Sequence, residues 1–404
     1  MDKKKIFLVS LGHLSCDING GAVPASLPYL RSIYGFDYQA AGGLVLAYSC
    51  LSSLIQPLLG LLSDRLQKPW FIPLGIVLAG LGVTMMGFMS NYWAIFAAIA
   101  ISGIGSAFFH PEGAKFANKV AGHNKGVALS LFSIGGNSGF ILGPILIAFF
   151  VGHFGMHGTA IFAIIALLTA AIMIRQIAGL KPAGKAHVPH AEAGRSAAGL
   201  AEDPAGAEAE ELDEEDSQNA KNNWPQFLRL MGVIITRSVV FAGCNAFIPL
   251  YFVNVFAQSN TMGAMALVVF GICGVGLNML GGFMADRLGC VPVIRLAFSI
   301  MPIAVLAFGL APNITMAYCV LPFLAFVIYA PFSSQVVLGQ KLLARNIGFA
   351  SGVTLGLATT LGGIAQPALG FIADTFGLHA IFFCLAGFSL TGCSFSWILA
   401  RKQA

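Results

Sequence analysis

The sequence predicts an all-α membrane protein with twelve transmembrane helices in two pseudo-symmetric six-helix bundles. Two observations carry this prediction: the composition is strongly apolar, and one long polar segment divides the apolar stretches into two sets of six. The 404 residues are 57% hydrophobic and 10% charged, whereas soluble domains contain about 25% charged residues. This composition excludes a soluble globular protein.

The apolar stretches are each about 20 residues long, which is enough for a helix to cross a ~30 Å hydrocarbon core. The first follows MDKKK directly, and its length and its glycines and prolines predict a retained helix rather than a cleaved signal peptide. The eight cysteines form no CxxC pair, so we expect packing residues rather than disulfides or structural zinc. The predicted spans are residues 6–30, 39–62, 69–90, 92–114, 126–150, 157–178, 227–254, 261–284, 293–311, 313–338, 348–372 and 377–400.

The polar segment covers residues 181–223 and carries ten of the seventeen acidic residues. A segment with so few aliphatic side chains cannot bury enough apolar surface to fold alone, so we expect a flexible cytoplasmic linker. It separates an N-terminal six-helix bundle, residues 1–180, from a C-terminal six-helix bundle, residues 224–404.

Lysine and arginine residues between the spans fall almost entirely on one side of the membrane when the N-terminus is placed inside, and Arg31 is the exception outside. This positive-inside pattern predicts a multi-pass protein of the inner (plasma) membrane with both termini in the cytoplasm. The net charge of +5 therefore describes a cytoplasmic surface next to lipid, and we expect no nucleic-acid partner.

A Gly-x-x-x-Asp frame ends three of the spans, within QPLLGLLSDRL, NMLGGFMADRLG and QPALGFIADTF. Glycine lets two helices approach closely, and the aspartate can accept hydrogen bonds from a neighbouring helix N-terminus. Spans two and eight run in the same direction and span eleven in the opposite one, as inverted three-helix repeats would produce. The residues of the frame are Gly60 and Asp64, Gly282 and Asp286, and Gly370 and Asp374.

In the first two copies the aspartate is followed by an arginine that can pair across the next loop. We predict a conformational-gating role for both copies, which comprise Gly60, Asp64, Arg65, Gly282, Asp286 and Arg287. In span five, SIGGNSGFILGP predicts tight helix packing and a kink at Pro144. We assign Gly143 and Pro144 to the same gating role.

Few ionisable side chains lie inside the spans, and such residues are costly in lipid, so they are functional candidates. Asp17 is twelve residues beyond Lys5, about 18 Å along a helix and therefore near the midplane. His13 is one turn earlier on the same face, within hydrogen-bond reach of the carboxylate. We predict a reversible proton site at Asp17 and His13; a purely structural His–Asp pair is the alternative.

SAFFHPEGAKFA places His110, Pro111 and Glu112 at the end of the fourth span. Glu112 is nineteen residues beyond Trp93, about 28 Å along a helix, so we expect it close to the cytoplasmic edge. Pro111 cannot donate to the helix and should kink it or open it locally. We predict a proton-accessible His110/Glu112 station at the cytoplasmic mouth of a cavity; the alternative is a half-solvated Glu112 paired with Lys115.

Arg237 is thirteen residues beyond Trp224, about midway across the seventh span. A guanidinium in a low-dielectric cavity would bind a phosphonate or carboxylate bidentately. The alternatives are an arginine that snorkels to the cytoplasmic surface or one that pairs permanently with Asp17. Further polar side chains that can line a substrate path, or equally serve interhelical hydrogen bonding, are Asn19, Asn245, Tyr329 and Gln335.

Twelve spans in a 6+6 arrangement, with GLLSDRLQKP after span two and GFMADRLGCVP after span eight, resemble the major facilitator superfamily. GHLSCDING, FFHPEGAKFA, SIGGNSGFILGP and GFASGVTLGLATTLGGIAQPALGFIAD are similar to its fosmidomycin-resistance branch. That resemblance implies a bacterial inner-membrane drug/proton antiporter that expels a phosphonate antibiotic, with spans one, four, seven and ten around a central cavity. His13, Asp17, His110 and Glu112 match the motif positions of the branch.

Three positions depart from the branch. Gly12 stands where a serine is usual, Arg237 where a lysine is expected, and Lys341 where an acidic residue is common. The cation of span seven keeps its sign, whereas the charge after span ten is reversed. These differences bear on the identity of the substrate.

The sequence therefore predicts a proton-coupled exporter of a small anionic or zwitterionic compound that works by alternating access, as a monomer in the lipid bilayer and without a cofactor. The same residues fit a proton-coupled uptake symporter. A receptor that binds without transport would use the same cavity, and no nucleophile–base pair or nucleotide loop indicates an enzyme. A divalent-metal transporter would draw nitrogen, sulfur and oxygen ligands from His13, Cys16, Asp17 and His110. Cys16 and Asp17 are adjacent, however, and on a regular helix two adjacent side chains do not easily point at one ion.

Overall fold

The computed structural model describes residues 1–56, 58–59, 62, 70–122, 125–177 and 222–400, and within these ranges it contains helices and no strand. Twelve main helices alternate in direction, and short helices at Gly152–Phe154, Gly155–Thr159 and Ala344–Asn346 lie between some of them. The odd-numbered ones start at the face that carries the N-terminus, here called the N-terminal face, and the even-numbered ones start at the opposite face. They are α1 (Lys3–Tyr34), α2 (Tyr38–Leu54), α3 (Phe71–Met86), α4 (Tyr92–Ala121), α5 (Lys125–Leu146), α6 (Ala160–Ile177), α7 (Trp224–Asn254), α8 (Asn260–Leu288), α9 (Cys290–Gly309), α10 (Ile314–Leu342), α11 (in three segments, Ile347–Gly352, Ala358–Ile364 and Gln366–Phe376) and α12 (Leu378–Ile398).

Two helices contain π-helical turns, which often occur at functional sites. In the first, α5 continues without a break into a π-helical turn at Ile147–Val151. Pro144 cannot donate to the carbonyl of Phe140, and that carbonyl lies against Gly21 of α1. In α11, a π-helical turn at Val353–Leu357 joins the first two segments.

The helices are suited to a bilayer by length and composition. Eight helical stretches in the described residues are long and apolar enough to cross a membrane. One of them, Val127–Arg175, includes most of both α5 and α6, and α3 is a shorter apolar helix. Large apolar side chains such as Leu168, Ile303 and Phe323 are exposed on the outside of the bundle, where lipid would cover them. The chain is therefore a multi-pass membrane protein, as its composition predicted, and its eight cysteines are free.

Close packing of α1 and α5 follows from a row of glycines on α5. Gly135, Gly139 and Gly143 lie against the backbone of α1, and a Cβ on any of them would overlap a carbonyl oxygen. Glycines and carbonyls both recur every four residues, so the two helices run side by side in register. The carbonyls belong to Ser10, Leu14 and Ile18. The tight packing predicted from SIGGNSGFILGP is thus present.

Most helix packing occurs within each half of the chain. In residues 1–177, α1 packs on α5, α2 on α4, and α3 on α4 and α6; in residues 222–400, α7 packs on α12, α8 on α10, and α9 on α10 and α12. The halves meet through α2 and α11, α5 and α8, and α1 and α7. The bundle boundaries at residues 180 and 224 stay predictions, because residues 178–221, most of the predicted linker, lie outside the described residues.

The two halves are joined at the opposite face. Both carboxylate oxygens of Asp374 in α11 accept hydrogen bonds from backbone amides of α2, those of Tyr38 (2.9 Å) and Gln39 (2.8 Å). A Cβ on Gly370, one turn earlier, would overlap the carbonyl oxygen of Tyr38. The third copy of the Gly-x-x-x-Asp frame therefore combines a close approach with a capped helix N-terminus.

At the N-terminal face, α2 and α11 are separated instead of joined. An apolar cleft of about 270 Å³ opens between them. The molecule is thus closed at the opposite face and open at the N-terminal face along this pair of helices. The cleft is lined by Ser53, Leu54, Phe349, Gly352, Val353, Gly356 and Thr360.

The predicted gating residues are described only in part. Gly60, Asp64 and Arg65 lie outside the described residues. Near the end of α8, the guanidinium of Arg287 lies 4.2 Å from the ring centre of Phe283. In the same helix, Gly282 is buried and Asp286 is exposed. The gating role of these residues, and of Gly143 and Pro144, stays a prediction.

Candidate proton and anion sites

A buried carboxylate lies about halfway along α1. Asp17 is 4% exposed and is the fifteenth of the 32 residues of this helix. Its Oδ2 lies 3.2 Å from Nε2 of His13, and its Oδ1 lies 3.2 Å from Nε2 of His110 on α4. The contact between His13 and Asp17 that the spacing predicted is present, and His110 completes a group that we call the His–Asp–His cluster.

Backbone carbonyls orient both imidazole rings of the cluster. Nδ1 of His13 lies 2.8 Å from the carbonyl oxygen of Phe132 on α5, and the two rings stack at 4.0 Å between centroids. Nδ1 of His110 lies 2.7 Å from the carbonyl oxygen of Ser106, one turn earlier on α4. Because a carbonyl only accepts, both Nδ1 atoms donate, and both Nε2 atoms are left to face the carboxylate.

Two glycines of α5 make room for the cluster. A Cβ on Gly136 would lie 2.5 Å from Nε2 of His13 and 2.8 Å from Oδ2 of Asp17. A Cβ on Gly139 would lie 2.9 Å from Cβ of Asp17. The backbone of α5, which has no side chain at these two positions, therefore packs directly against this side of the cluster.

Glu112 does not join the cluster. Its Oε1 accepts a hydrogen bond from Nζ of Lys115 over 3.2 Å, which is the alternative that the sequence left open. Side chains two residues apart on a helix point about 200° apart, so His110 reaches α1 whereas Glu112 points to another side of α4. The helix also runs unbroken through Pro111. The structure thus separates the two members of the predicted His110/Glu112 station.

The cluster is also the place where a metal ion would be sought. Among the described residues, its three donor atoms lie within 4.8 Å of one another. The metal-transporter alternative also draws on the sulfur of Cys16, but Cys16 is not part of this group, and its fully buried side chain belongs to an apolar cluster that includes Ile76 and Phe109. The mixed nitrogen, sulfur and oxygen set that this alternative requires is therefore not assembled.

A buried cation lies in the second half. Arg237 on α7 is 8% exposed. Its Nε donates to Oε1 of Gln335 on α10 over 3.0 Å, and its guanidinium carbon lies 4.5 Å from the ring centre of Phe332. Since Phe332 and Gln335 are one turn apart, one face of α10 holds the guanidinium by a hydrogen bond and a cation–π contact.

The charge of Arg237 has no acidic partner within 4.0 Å among the described residues, where the carboxylates of Asp2, Asp17 and Glu112 pair with other side chains. Its burial also rules out the snorkelling alternative in this conformation. Nε2 of Gln335 is buried without a hydrogen-bond partner in the described part of the chain. A buried cation beside an unused amide donor is suited to bind an anion.

The remaining predicted lining residues lie in the same helices. Asn19 is fully buried, and its Nδ2 donates to carbonyls of the preceding turn of α1. Asn245 donates in the same way to the carbonyl of Phe241. The ring of Tyr329 on α10 packs at a right angle to that of Phe241, 5.5 Å away, and its hydroxyl is close enough to Arg237 to interact electrostatically.

Several residues that hold these sites in place were not predicted from the sequence. Phe132 and Ser106 act through backbone carbonyls, which leave no signature in a sequence, and the hydroxyl of Ser106 also lies 3.2 Å from Nδ1 of His110. Gly136 lies in the glycine-rich motif, but that pattern indicated packing only. Phe332 precedes a predicted site glutamine by one turn, and this spacing was an available signal. For Asp374 the sequence predicted a helix N-terminus as the partner, but not that this helix belongs to the other half of the chain.

Comparison with known proteins finds similarity over nearly the whole chain. The family model for the Major Facilitator Superfamily matches residues 9–367. The chain is 26% identical over 391 residues to the fosmidomycin resistance protein of Escherichia coli (strain K12), covering 95% of this chain and 90% of that protein. It is 26% identical over 403 residues to the uncharacterized MFS-type transporter YfnC of Bacillus subtilis (strain 168), covering 96% and 90%.

Solved structures with the same fold include a bacterial homolog of the human lysosomal transporter Spinster in an inward-facing, occupied conformation. That structure has a TM-score of 0.77 at 15% identity and covers 99% of this chain and 96% of its own. The nucleoside transporter NupG has a TM-score of 0.72 at 14% identity, with 98% and 100% coverage. These likenesses concern the twelve-helix fold, which the sequence predicted.

Proposed function

Because the chain belongs to the Major Facilitator Superfamily, and is thus a membrane transporter, we propose that it is a proton-coupled exporter of a small anionic or zwitterionic compound. One observation carries this proposal: the two halves hold different buried ionisable sites. The His–Asp–His cluster lies on α1 and α4 of the first half. The guanidinium of Arg237, without an acidic partner in the described part of the chain, lies on α7 of the second half.

The chemistry of the second site indicates the class of substrate. A guanidinium offers parallel N–H donors that match a carboxylate or phosphonate, and the free amide group of Gln335 adds another donor. The name of the fosmidomycin resistance protein, which matches 95% of this chain, supports a fosmidomycin-like phosphonate and the export direction.

The proposed cycle is alternating access in the inner membrane, with the N-terminal face and both termini in the cytoplasm. Substrate enters from that face and binds Arg237. The halves then rock, and protons from outside bind at Asp17 as the substrate leaves. The protons are released to the cytoplasm when the N-terminal face opens again. The cleft between α2 and α11 at the N-terminal face supports an inward-open starting state.

Proton flux in everted membrane vesicles tests the proposal. The vesicles are acidified by respiration, and a pH-sensitive dye reports the gradient when fosmidomycin is added. We expect dequenching that requires the protein and is lost in Asp17→Asn, which keeps the shape of the side chain. The control variant is His153→Gln, a substitution at an exposed histidine near the opposite face, and it should retain the response.

Two results would contradict parts of this proposal. Normal proton-driven efflux in Asp17→Asn would exclude Asp17 as the coupling residue. The absence of any response in the wild-type protein would remove the phosphonate substrate, while uptake driven by an inward proton gradient would reverse the direction.

A further inference from the structure

The number of protons in the His–Asp–His cluster follows from the geometry of its contacts. Both Nδ1 atoms donate to backbone carbonyls, so each ring has only Nε2 available for Asp17. Each Nε2 lies 3.2 Å from a different carboxylate oxygen. Without a proton in these contacts, nitrogen and oxygen lone pairs would face each other at hydrogen-bond distance, in a buried site where water does not screen the repulsion.

Each of the two contacts therefore needs a proton of its own. Asp17 can hold one proton at most, so at least one imidazole is doubly protonated. Either both protons are on the imidazole rings and Asp17 is a carboxylate, or one proton is on a ring and the other is on Asp17, which is then a carboxylic acid. In both distributions the cluster holds two protons and has a net charge of one positive unit.

The groups on α1, α2 and α4 that face the cluster do not change this count. The thiol of Cys16 on α1 and the phenol of Tyr48 on α2 are near enough to Asp17 to interact electrostatically, and both are neutral when protonated. Glu112 and Lys115 on α4 pair with each other. None of these groups supplies a proton to the two contacts with Asp17.

The other helices packed on α1 also leave the count unchanged. Residues Phe71–Met86 of α3 include no ionisable side chain, and α5 contributes the carbonyl of Phe132 and the backbone at Gly136. The charged residues of α6 and α8, which also pack on α1, lie in the last turns of these helices: Arg175 in α6, and Asp286 and Arg287 in α8. On α7, Arg237 is bound to Gln335. The two protons are therefore a property of the cluster itself.

We propose that the His–Asp–His cluster is a two-proton site that loads two protons from outside and releases both to the cytoplasm for each substrate molecule exported. This step rests on the proposed function, because it assigns the stoichiometry of the same proton site. Each proton binds between Nε2 of a histidine and an oxygen of Asp17 and leaves to water, and no other bond changes.

The matched variant is Asp17→Asn. The asparagine amide donates one of its own hydrogens to one Nε2, while its oxygen still needs a proton from the other ring. The cluster should therefore hold one extra proton in this variant instead of two. His153 is the control, because its Nδ1 also donates to the carbonyl four residues earlier, over 2.7 Å, but the ring is exposed.

Solid-state NMR of the full chain in lipid measures the count without a substrate. Spectra of ¹⁵N-labelled histidine show which rings carry two N–H groups, and ¹³C spectra show whether Asp17 is an acid or a carboxylate. Near neutral pH we expect two protons in the wild type, one in Asp17→Asn, and no change in the cluster of His153→Gln. A wild-type count of one or none would overturn the proposal, as would a stoichiometric metal ion found by elemental analysis of the purified protein.

Transport in proteoliposomes at clamped voltage measures the exchange. The logarithm of the fosmidomycin concentration ratio is followed against the imposed pH difference. A slope of about two supports the proposal, and a slope of about one overturns it. If NMR counts two protons but no transport is measured, the proposed function and the proposed exchange are both contradicted, while the two-proton site remains supported. A count of one or none by NMR contradicts the site itself, so the two kinds of failure are distinguishable.

Discussion

Asp374 of α11 binds the N-terminus of α2 through two backbone amides, the first of which belongs to Tyr38. A carboxylate at this position compensates the positive end of the helix dipole. Asp37 caps the same helix from within its own half, because its Oδ1 accepts from the amide of Ala40 over 2.7 Å. One helix end is therefore held by two carboxylates, of which only Asp374 joins the two halves.

Replacing Asp374 with asparagine should favour separation of the halves at the opposite face. The variant loses a charged acceptor from the interface, which we expect to shift the conformational equilibrium by about 1–2 kcal/mol, or roughly tenfold in population. Spin labels at Phe154 and Phe376, both exposed near this face, report the separation by double electron–electron resonance in a cysteine-free background. A longer distance should gain population.

The matched control for that experiment is Asp37→Asn, which removes a carboxylate from the same helix end but not from the interface. It should leave the distance distribution unchanged. Equal effects of the two substitutions would show that capping of α2, and not the contact between the halves, controls the equilibrium.

Gly139→Ala should destabilise the protein and disturb the His–Asp–His cluster. The new Cβ would lie 2.7 Å from the carbonyl oxygen of Leu14 and 2.9 Å from Cβ of Asp17, so α1 and α5 must move apart. Overpacking of this kind costs about 1–3 kcal/mol. The melting temperature in detergent should fall, and the variant should respond weakly in the vesicle assay.

Gly276→Ala is the corresponding control, because a Cβ there meets nothing within 4 Å. Alanine is the better helix former by about 0.5–1 kcal/mol, so its melting temperature should stay equal or rise. Similar losses in both variants would mean that the close contact between α1 and α5 is not the cause.

Arg237→Lys should weaken binding of fosmidomycin, although it keeps the charge and introduces the residue expected in the fosmidomycin-resistance branch, because Gln335 and Phe332 of this chain hold a guanidinium. A lysine cannot present the parallel donors of a guanidinium, and it loses the Nε contact with Gln335. Loss of one charged hydrogen bond costs about 1.5–3 kcal/mol, which corresponds to at least a tenfold higher Kd by titration calorimetry. Arg295→Lys is the control, since this arginine bonds carbonyls at the end of α12; an unchanged Kd in Arg237→Lys would exclude Arg237 as an anion ligand.

Gln335→Glu should stabilise the protein but abolish anion binding. A carboxylate in place of the amide gives Arg237 the acidic partner that it lacks among the described residues, so we expect a higher melting temperature and no detectable anion binding. Gln335→Leu instead breaks the contact and leaves the guanidinium without its acceptor, so both the melting temperature and the affinity for the anion should fall. A Gln335→Glu variant that still binds fosmidomycin would show that the anion site lies elsewhere.

Much of this architecture could be predicted from the sequence, since hydrophobic length and charge asymmetry act locally along the chain. The same holds for His13 and Asp17, because a four-residue spacing fixes their relative position on one helix. His110 was predicted as a site residue beside Glu112, whereas the structure places it beside Asp17. Its proximity to Asp17 depends on how α4 packs against α1, which no local pattern encodes.

The proposed anion site shows the same limit of prediction from sequence. Arg237 was identified as a rare charge within a span, and Gln335 as one polar residue among several. Their contact joins α7 to α10 over 98 residues of sequence. Only the packing of the second half distinguishes Gln335 from Asn245, whose amide bonds its own helix.

The position of Asp17 halfway along α1 has an electrical consequence. A proton that reaches it from outside crosses about half of the membrane, so a potential of 100 mV contributes roughly 1.2 kcal/mol to its binding, half of the ~2.3 kcal/mol for a full crossing. One pH unit contributes about 1.4 kcal/mol. In the proposed cycle, voltage and acidity are therefore nearly interchangeable in filling the cluster, and a proton-motive force stored as voltage alone would still drive export by the proposed mechanism in a cell in alkaline surroundings.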